Sequence, residues 1–335
     1  MANALLKIVP VPPETVASIP QLDPVKLAAL HASLLKHFNA FVPVELRRAF
    51  SAAAFDFLFA ATLEDVPGWE GKQVDMGPDD PRKRYRDIGG VFSSVRGSNR
   101  AAIACFYWAK TEIFSGDDVI VGSSVEQMPG ILLHETGHGF MALLAKIFNE
   151  NLSKEYPAAD FSLISSRLQN EIWSAIITEG GADILRLLNL GYFTPNAKRP
   201  DRPFVEVAAE AMATIWDRDG GGCLTGNDRK EFERIFAQPI QTLAELHDKF
   251  CKWQQGVLSE ADFLDFLREH QQTKNIAPHI DVAVEAKAFR YLARFDAVEQ
   301  IADPHRDRIR ILGPQFPQIR QWYDYIQSDN SDGLF

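Results

Sequence analysis

Two histidines and a glutamate within five residues are the part of this sequence best suited to chemistry. His134 and His138 are four positions apart, so on a helix they share one face and can bind one metal ion. Zinc suits this pair because it favours imidazole nitrogen, and its catalytic sites keep one position open for water. Glu135 would lie beside the metal, where it can accept a proton from a water that the metal acidifies. The spacing favours a hydrolytic site, but it also occurs by chance on amphipathic helices.

The surrounding segment is predicted to be one buried helix that starts after Pro129 and ends near Phe148. Gly137 and Gly139 lie inside this helix, and each glycine costs about 1 kcal/mol relative to alanine. We therefore expect another part of the protein to approach the helix backbone closely at this point.

A pair of carboxylates follows about forty residues downstream. Glu179 and Asp183 are four apart in the segment 170–188, whose apolar residues recur at helical spacing. One carboxylate can bind a metal while the other accepts the spare N–H of a ligand histidine and fixes its tautomer. Because unpaired buried carboxylates are costly, the alternative requires another cation or exposure to solvent.

Together these residues resemble the gluzincin branch of zinc metallopeptidases, which pairs an HExxH helix with a second helix bearing a glutamate and, four residues on, an aspartate. The resemblance implies an α+β fold with a zincin-like core, a small mixed sheet plus these two helices, over about residues 85–200. It assigns zinc to His134, His138 and Glu179, the general base to Glu135, and the orientation of His134 to Asp183. Zincins generally add a tyrosine or histidine that stabilises the oxyanion, and Tyr291 and His279 are the candidates.

The segment 203–270 resembles a pair of EF-hands. Its first loop, residues 217–228, has carboxylates at positions 1, 3 and 12 and a glycine at position 6. The candidate calcium ligands are Asp217, Asp219, Cys223, Thr225 and Asp228. Position 5 is Gly221, which offers no side-chain oxygen, so we expect weak Ca²⁺ binding if any. The plain alternative is four ordinary helices with a glycine-rich turn.

The elements around these motifs divide the chain into four parts. Residues 1–84 and 271–335 are expected to be mainly helical, and 85–200 and 203–270 hold the catalytic core and the EF-hand-like segment. The predicted helices near the N-terminus are 23–41 and 44–63, and the helix 204–216 opens the EF-hand-like segment. The predicted strands are 90–95, 101–108 and 119–121. The strand 101–108 is either an edge strand that binds substrate by strand addition or a covered inner strand.

Composition bounds the possible partners and the compartment. A net charge of −10 argues against nucleic acid, and no segment approaches the roughly 20 apolar residues of a membrane span. The three cysteines are far apart and lack CxxC spacing, which favours a reducing, cytoplasmic setting, with leaderless export as the alternative.

These observations predict a zinc-dependent peptidase that acts on a peptide or protein substrate. Two other functions fit the same motifs. The zinc site could hydrolyse a non-peptide amide or another small molecule, or the chain could be a calcium-responsive binding protein with a structural zinc site. The free Glu135 argues against the last, because a structural site has no use for a base.

Overall fold

The structure of the protein is a computed structural model, and its fold is α+β, with a small mixed sheet and mainly helices. It describes residues 6–8, 24–60, 66, 90–94, 101–106, 109–112, 118–121, 128–152, 167–168, 171–172, 175, 202–224 and 226–271.

The strands are β1 Leu6–Ile8, β2 Phe55–Ala60, β3 Gly90–Ser94, β4 Ala101–Phe106, β5 Ala109–Glu112 and β6 Asp118–Val121. The helices are α1 Pro24–Phe41, α2 Val44–Ala52, α3 Met128–Leu152, α4 Arg202–Trp216, α5 Gly226–Ile235, α6 Ala237–Gln254 and α7 Glu260–Gln271.

Four of these strands form one mixed sheet in the order β1-β2-β4-β3. The strand β2 pairs in parallel with β1 and β4, and β3 pairs antiparallel with β4. Nearly every side chain of β2 is buried, as expected for a parallel strand whose two faces are both covered. β5 and β6 form a separate antiparallel pair.

The helix α3 lies at the centre of the described fold. It contacts α4, β3, β4 and α1, and apolar side chains line most of its length. Pro129 lies in its first turn, where the missing N–H would have no helical partner. Gly139 faces Ile103 of the sheet so closely that a methyl group there would displace the isoleucine. The HExxH sequence therefore lies between the sheet and α4.

Several predicted elements are confirmed with small shifts at their ends. The helix predicted at 23–41 is α1, and the helix predicted at 204–216 is α4. The three predicted strands are β3, β4 and β6, and the HExxH helix is longer than expected at both ends. Of the two alternatives for strand 101–108, the inner position is the observed one, because β4 lies between β2 and β3.

The predicted helix 44–63 is wrong beyond Ala52. The helix α2 ends there, Ala54 adopts a left-handed φ of 60°, and the chain continues as β2. No glycine or proline marks this boundary, and Ser51-Ala-Ala-Ala54 has good helix propensity. The burial of Phe55, Phe57 and Phe59 in the core outweighs that local preference.

The segment 203–270 contains four helices in two helix–loop–helix pairs, α4 with α5 and α6 with α7. The second loop turns at Gly256, whose φ of 73° favours glycine. In the part of the chain that the structure describes, no helix is both long and apolar enough to cross a membrane.

His247 of α6 connects the two central helices through its ring. Its Nε2 accepts a hydrogen bond from Trp216 Nε1 of α4 at 3.1 Å, and its ring lies edge-on to Phe140 of α3 at 5.7 Å. Burial lowers the pKa of His247 from 6.5 to about 4, so the imidazole is neutral and its Nε2 can accept this bond.

This neutral imidazole predicts a loss of stability in acid. As the pH falls from 6.5 to about 4, the unfolded chain takes up a proton that the folded chain excludes. Stability should fall within that window by at most about 3 kcal/mol. In His247→Gln, which keeps an acceptor that cannot titrate, urea denaturation at pH 7 and pH 4.5 should show a smaller difference than in the wild type. An equal difference in both proteins would contradict the assignment.

Candidate metal centre

Three donor atoms converge where α3 meets α4. His134 Nε2 and His138 Nε2 lie 3.1 and 3.4 Å from one oxygen of Glu206. The two imidazole rings are nearly perpendicular, with centroids 4.9 Å apart, and the three ligand atoms all lie within 4.8 Å of one another. His134 is almost fully buried, and His138 and Glu206 are partly exposed. Two imidazole nitrogens and a carboxylate with one partly open side suit a catalytic zinc ion.

The carboxylate of Glu210 fixes the orientation of His134. Glu206 and Glu210 are four apart on α4, so both face α3. Glu210 accepts a hydrogen bond from His134 Nδ1 at 2.7 Å, which leaves the lone pair of Nε2 for a metal in the neutral ring. It also accepts the backbone N–H groups of Cys223 at 2.9 Å and Leu224 at 2.8 Å.

In the metal-free protein, opposite charges within the cluster stabilise one another. Burial opposes the imidazolium of His134, but hydrogen bonds with Cys223, Glu206 and Glu210 outweigh it and raise the pKa of His134 well above its usual value. Burial also opposes ionisation of Glu206, but the imidazoles of His138 and His134 hold the pKa of its carboxyl below the usual range. In the apo protein, a cationic histidine thus pairs with carboxylates, and a metal ion would replace one proton on His134.

A second group of potential ligands consists of His134, Glu210 and Cys223. Burial raises the pKa of the Cys223 thiol to about 11, so its sulfur is protonated at neutral pH. Glu210 already accepts three hydrogen bonds, which a metal would have to displace. The first group therefore fits a metal better, and Glu210 of the second group orients the His134 ring that both groups share.

Glu135 lies under the edge strand β3. Its side chain is almost buried, and its carboxylate accepts the backbone N–H of Phe92. Burial raises the pKa of Glu135, and the two histidines and the Phe92 N–H only partly offset this effect. A methyl group at Gly90 would lie 2.7 Å from Glu135 Cγ, so only glycine allows the strand to pass here. Glu135 lies beside the histidines but is not one of the three clustered ligands, which suits a general base.

The expected close approach to the glycines of α3 is confirmed. A methyl group at Gly137 would lie 2.6 Å from the carbonyl oxygen and 2.8 Å from the Cα of Ala209, between the two glutamates of α4. At the start of α3, the Gly130 carbonyl accepts the N–H of Gly222 at 3.2 Å, and a side chain at Gly130 would collide with Gly222. Both contacts hold the second helix and its following loop against the HExxH helix.

The predicted calcium loop is held by Arg229, which donates to the Gly221 and Asp217 carbonyls, and by hydrogen bonds within the loop. Asp217 Oδ1 accepts the N–H groups of Asp219 and Gly220, each at 3.1 Å. Its Oδ2 lies 3.4 Å from Nε2 of His37 on α1. Among the described residues, Asp217, Asp219 and Asp228 form no three-ligand group, and Thr225 lies outside those residues. Calcium binding by this loop stays a prediction.

The other predicted site residues divide into two sets. The structure brings together His134, Glu135 and His138. The four remaining residues lie outside the described part of the chain, and their roles stay predictions: Glu179, Asp183, Tyr291 and His279.

Two residues of the site were not singled out from the sequence. Glu206 and Glu210 repeat the spacing of Glu179 and Asp183, and they lie in a helix that the sequence predicts correctly. The sequence alone does not distinguish this pair from Glu179 and Asp183, because both pairs have the same spacing in predicted helices.

The contact at Gly137 predicts that alanine will separate the two helices. Gly137→Ala should lower the free energy of unfolding by about 1–3 kcal/mol, because backbone of α4 must shift to accept the methyl group. Zinc affinity should fall as Glu206 moves away from the histidines. Gly220→Ala is the control, since its nearest atom would be Asp217 Oδ2 at an ordinary 3.4 Å. Denaturant titration and zinc competition measure both effects, and equal behaviour of the two variants would contradict the contact.

The chain matches no protein-family model, no curated protein and no solved structure at a significant level. What the site can do is therefore inferred from the geometry of its own residues.

Proposed function

We propose that the protein is a zinc-dependent metallopeptidase with a zincin-like core, in which His134, His138 and Glu206 bind the zinc. The observation that carries the proposal is the convergence of these three ligand atoms within 4.8 Å, with Nδ1 of His134 bonded to Glu210. This is the donor set and the outer-shell carboxylate that zinc sites use. The zinc-free cluster also pairs the His134 imidazolium with two carboxylates. A divalent cation can take the place of the His134 proton, and the carboxylates then balance its charge.

A bound zinc ion would supply Lewis-acid chemistry, lowering the pKa of water and polarising a carbonyl group. Glu135 then accepts a proton from the attacking water as its oxygen forms a bond to the carbonyl carbon. When the C–N bond breaks, Glu135 donates that proton to the leaving amine.

The position of β3 favours a peptide as the substrate. In the described sheet β3 is the edge strand, and Phe92 lies with its ring 6.5 Å from that of His138. An extended peptide could add to this edge and bring its backbone past Glu135. This role replaces the one considered for β4, which is an inner strand. Hydrolysis of a non-peptide amide by the same residues is the alternative, and a comparison of peptide and simple amide substrates would separate the two.

The proposed zinc ligands predict which variants lose the metal. The purified protein should hold about one zinc per chain, and Glu206→Ala should lower zinc occupancy and activity together, because it removes a charged ligand. Glu179→Ala tests the ligand that the sequence resemblance predicts. Elemental analysis after dialysis against a weak chelator measures occupancy.

The control for this series is Glu171→Ala, since Glu171 pairs with Arg167 at 3.0 Å and is not one of the described clustered ligands. If Glu179→Ala loses zinc while Glu206→Ala keeps it, the third ligand is Glu179. Absence of zinc from the wild type after expression in zinc-replete medium would exclude the proposed function.

Replacing the base should separate catalysis from metal binding. Glu135→Gln keeps the size of the side chain and the bond from Phe92 N–H but removes its basicity, so it should lower kcat at least 100-fold, in line with the loss of general base catalysis. Zinc content should stay at the wild-type value. Hydrolysis of a quenched-fluorescent peptide library together with metal analysis measures both, and loss of zinc would make Glu135 a ligand and not a base.

A further inference from the structure

The loop that follows α4 reaches the metal centre through Glu210. Residues 217–224, here called the glycine loop, include three consecutive glycines. Two of its backbone N–H groups, from Cys223 and Leu224, donate to the two oxygens of the Glu210 carboxylate. Gly222 has a φ of 99°, and a side chain there would collide with the same carboxylate. The conformation of the glycine loop therefore determines where the Glu210 oxygens lie.

Such a loop needs an external constraint. Glycine loses more backbone entropy on ordering than any other residue, so three in succession favour a mobile chain. The carboxylate of Glu210 can hold His134 only if the loop N–H groups are themselves fixed. Leu224 is buried, Gly222 donates to the Gly130 carbonyl, and Gly221 donates to the Asp217 carbonyl, but donors from outside the loop are needed to fix its carbonyls to the rest of the protein.

Arg229 of α5 supplies those donors. One terminal nitrogen of its guanidinium donates to the Gly221 carbonyl at 2.6 Å, and the other donates to the Asp217 carbonyl at 2.7 Å. Its Nε donates to Glu233 at 3.0 Å, and the side chain is only 8% exposed. The planar guanidinium binds two carbonyls at a fixed separation, which a lysine ammonium cannot reproduce. Its positive charge also suits the C-terminal end of α4, where the helix dipole leaves a partial negative charge.

We propose that Arg229 is a positioning residue for the metal centre. It fixes the glycine loop, the loop fixes the carboxylate of Glu210, and Glu210 holds Nδ1 of His134 so that Nε2 faces the metal. The guanidinium thus controls metal affinity without being a ligand. The inference rests on the proposed function, because it assigns to the loop a part in the zinc site described above. It also gives the glycine loop a role that needs no calcium.

The test compares zinc affinity in variants of two arginines of the same helix. Arg229→Met removes the guanidinium from the glycine loop, whereas Arg234→Met is the matched control, because Arg234 is half-exposed and pairs with Glu231 of the same helix at 2.7 Å. Competition with a chelator should show zinc binding weakened roughly 10- to 100-fold in Arg229→Met, as for other outer-shell partners, and unchanged in Arg234→Met. Arg229→Lys keeps the charge but loses the pair of terminal nitrogens that bind the two carbonyls. Its zinc affinity should fall between those of the wild type and Arg229→Met.

A double variant separates positioning from general destabilisation. Glu210→Gln should weaken zinc binding on its own, and Arg229→Met should add little to it, because both changes break the same chain of contacts. If the two losses add, Arg229 acts on the site by another route and the proposal is wrong. It is equally wrong if Arg229→Met or Arg229→Lys is folded by circular dichroism and binds zinc as tightly as the wild type.

The hydrogen bond between His134 and Glu210 gives a readout that needs no metal. In zinc-free protein labelled with ¹⁵N at histidine, the Nδ1–H of His134 should give a downfield, slowly exchanging proton signal. That signal should persist in Arg234→Met and be lost in Arg229→Met. If the wild type binds no zinc, the proposed function fails, and this signal alone then decides the positioning role. Its persistence in folded Arg229→Met would overturn the proposal.

Discussion

The candidate metal centre depends on one close contact between two helices. Gly137 of α3 lies against the backbone of Ala209 on α4, and this approach brings Glu206 and Glu210 within reach of His134 and His138. A methyl group at Gly137 would lie 2.6 Å from the Ala209 carbonyl oxygen, so a larger residue there would push the two helices apart. The glycine between the ligands is thus a structural requirement of the site.

The buried charges of the site require compensation within a short radius. Glu135, Glu206 and Glu210 bring three carboxylates beside two imidazoles, and each carboxylate has a specific partner. Backbone N–H groups supply part of this compensation, from Phe92 of β3 and from Cys223 and Leu224 of the glycine loop. The edge strand and the glycine loop therefore stabilise the carboxylates of the site as well as shape it.

The sequence predicts the parts of the site that are local. The i, i+4 spacing of His134 and His138 is a property of one helix, so it is visible without tertiary information, and the helix itself is confirmed. The choice of carboxylate is not local, because Glu206 and Glu179 are both followed four residues later by an acid. Only packing decides which helix meets α3, and Ala209 opposite Gly137 has no signature in a single sequence. The boundary after Ala52 was missed for a similar reason, since the core position of β2 overrides the helix propensity of its alanines.

The separation of His134 from its partner has a consequence during synthesis. Glu210 lies 76 residues further along the chain, so at translation rates of about 5–20 residues per second the ribosome makes it roughly 4–15 s after the histidine. Throughout that interval the polar face of α3 has neither the carboxylates nor the glycine loop that later cover it. In a nascent chain at this stage His134 and His138 lack the partners that α4 supplies, so their imidazoles are open to premature metal capture.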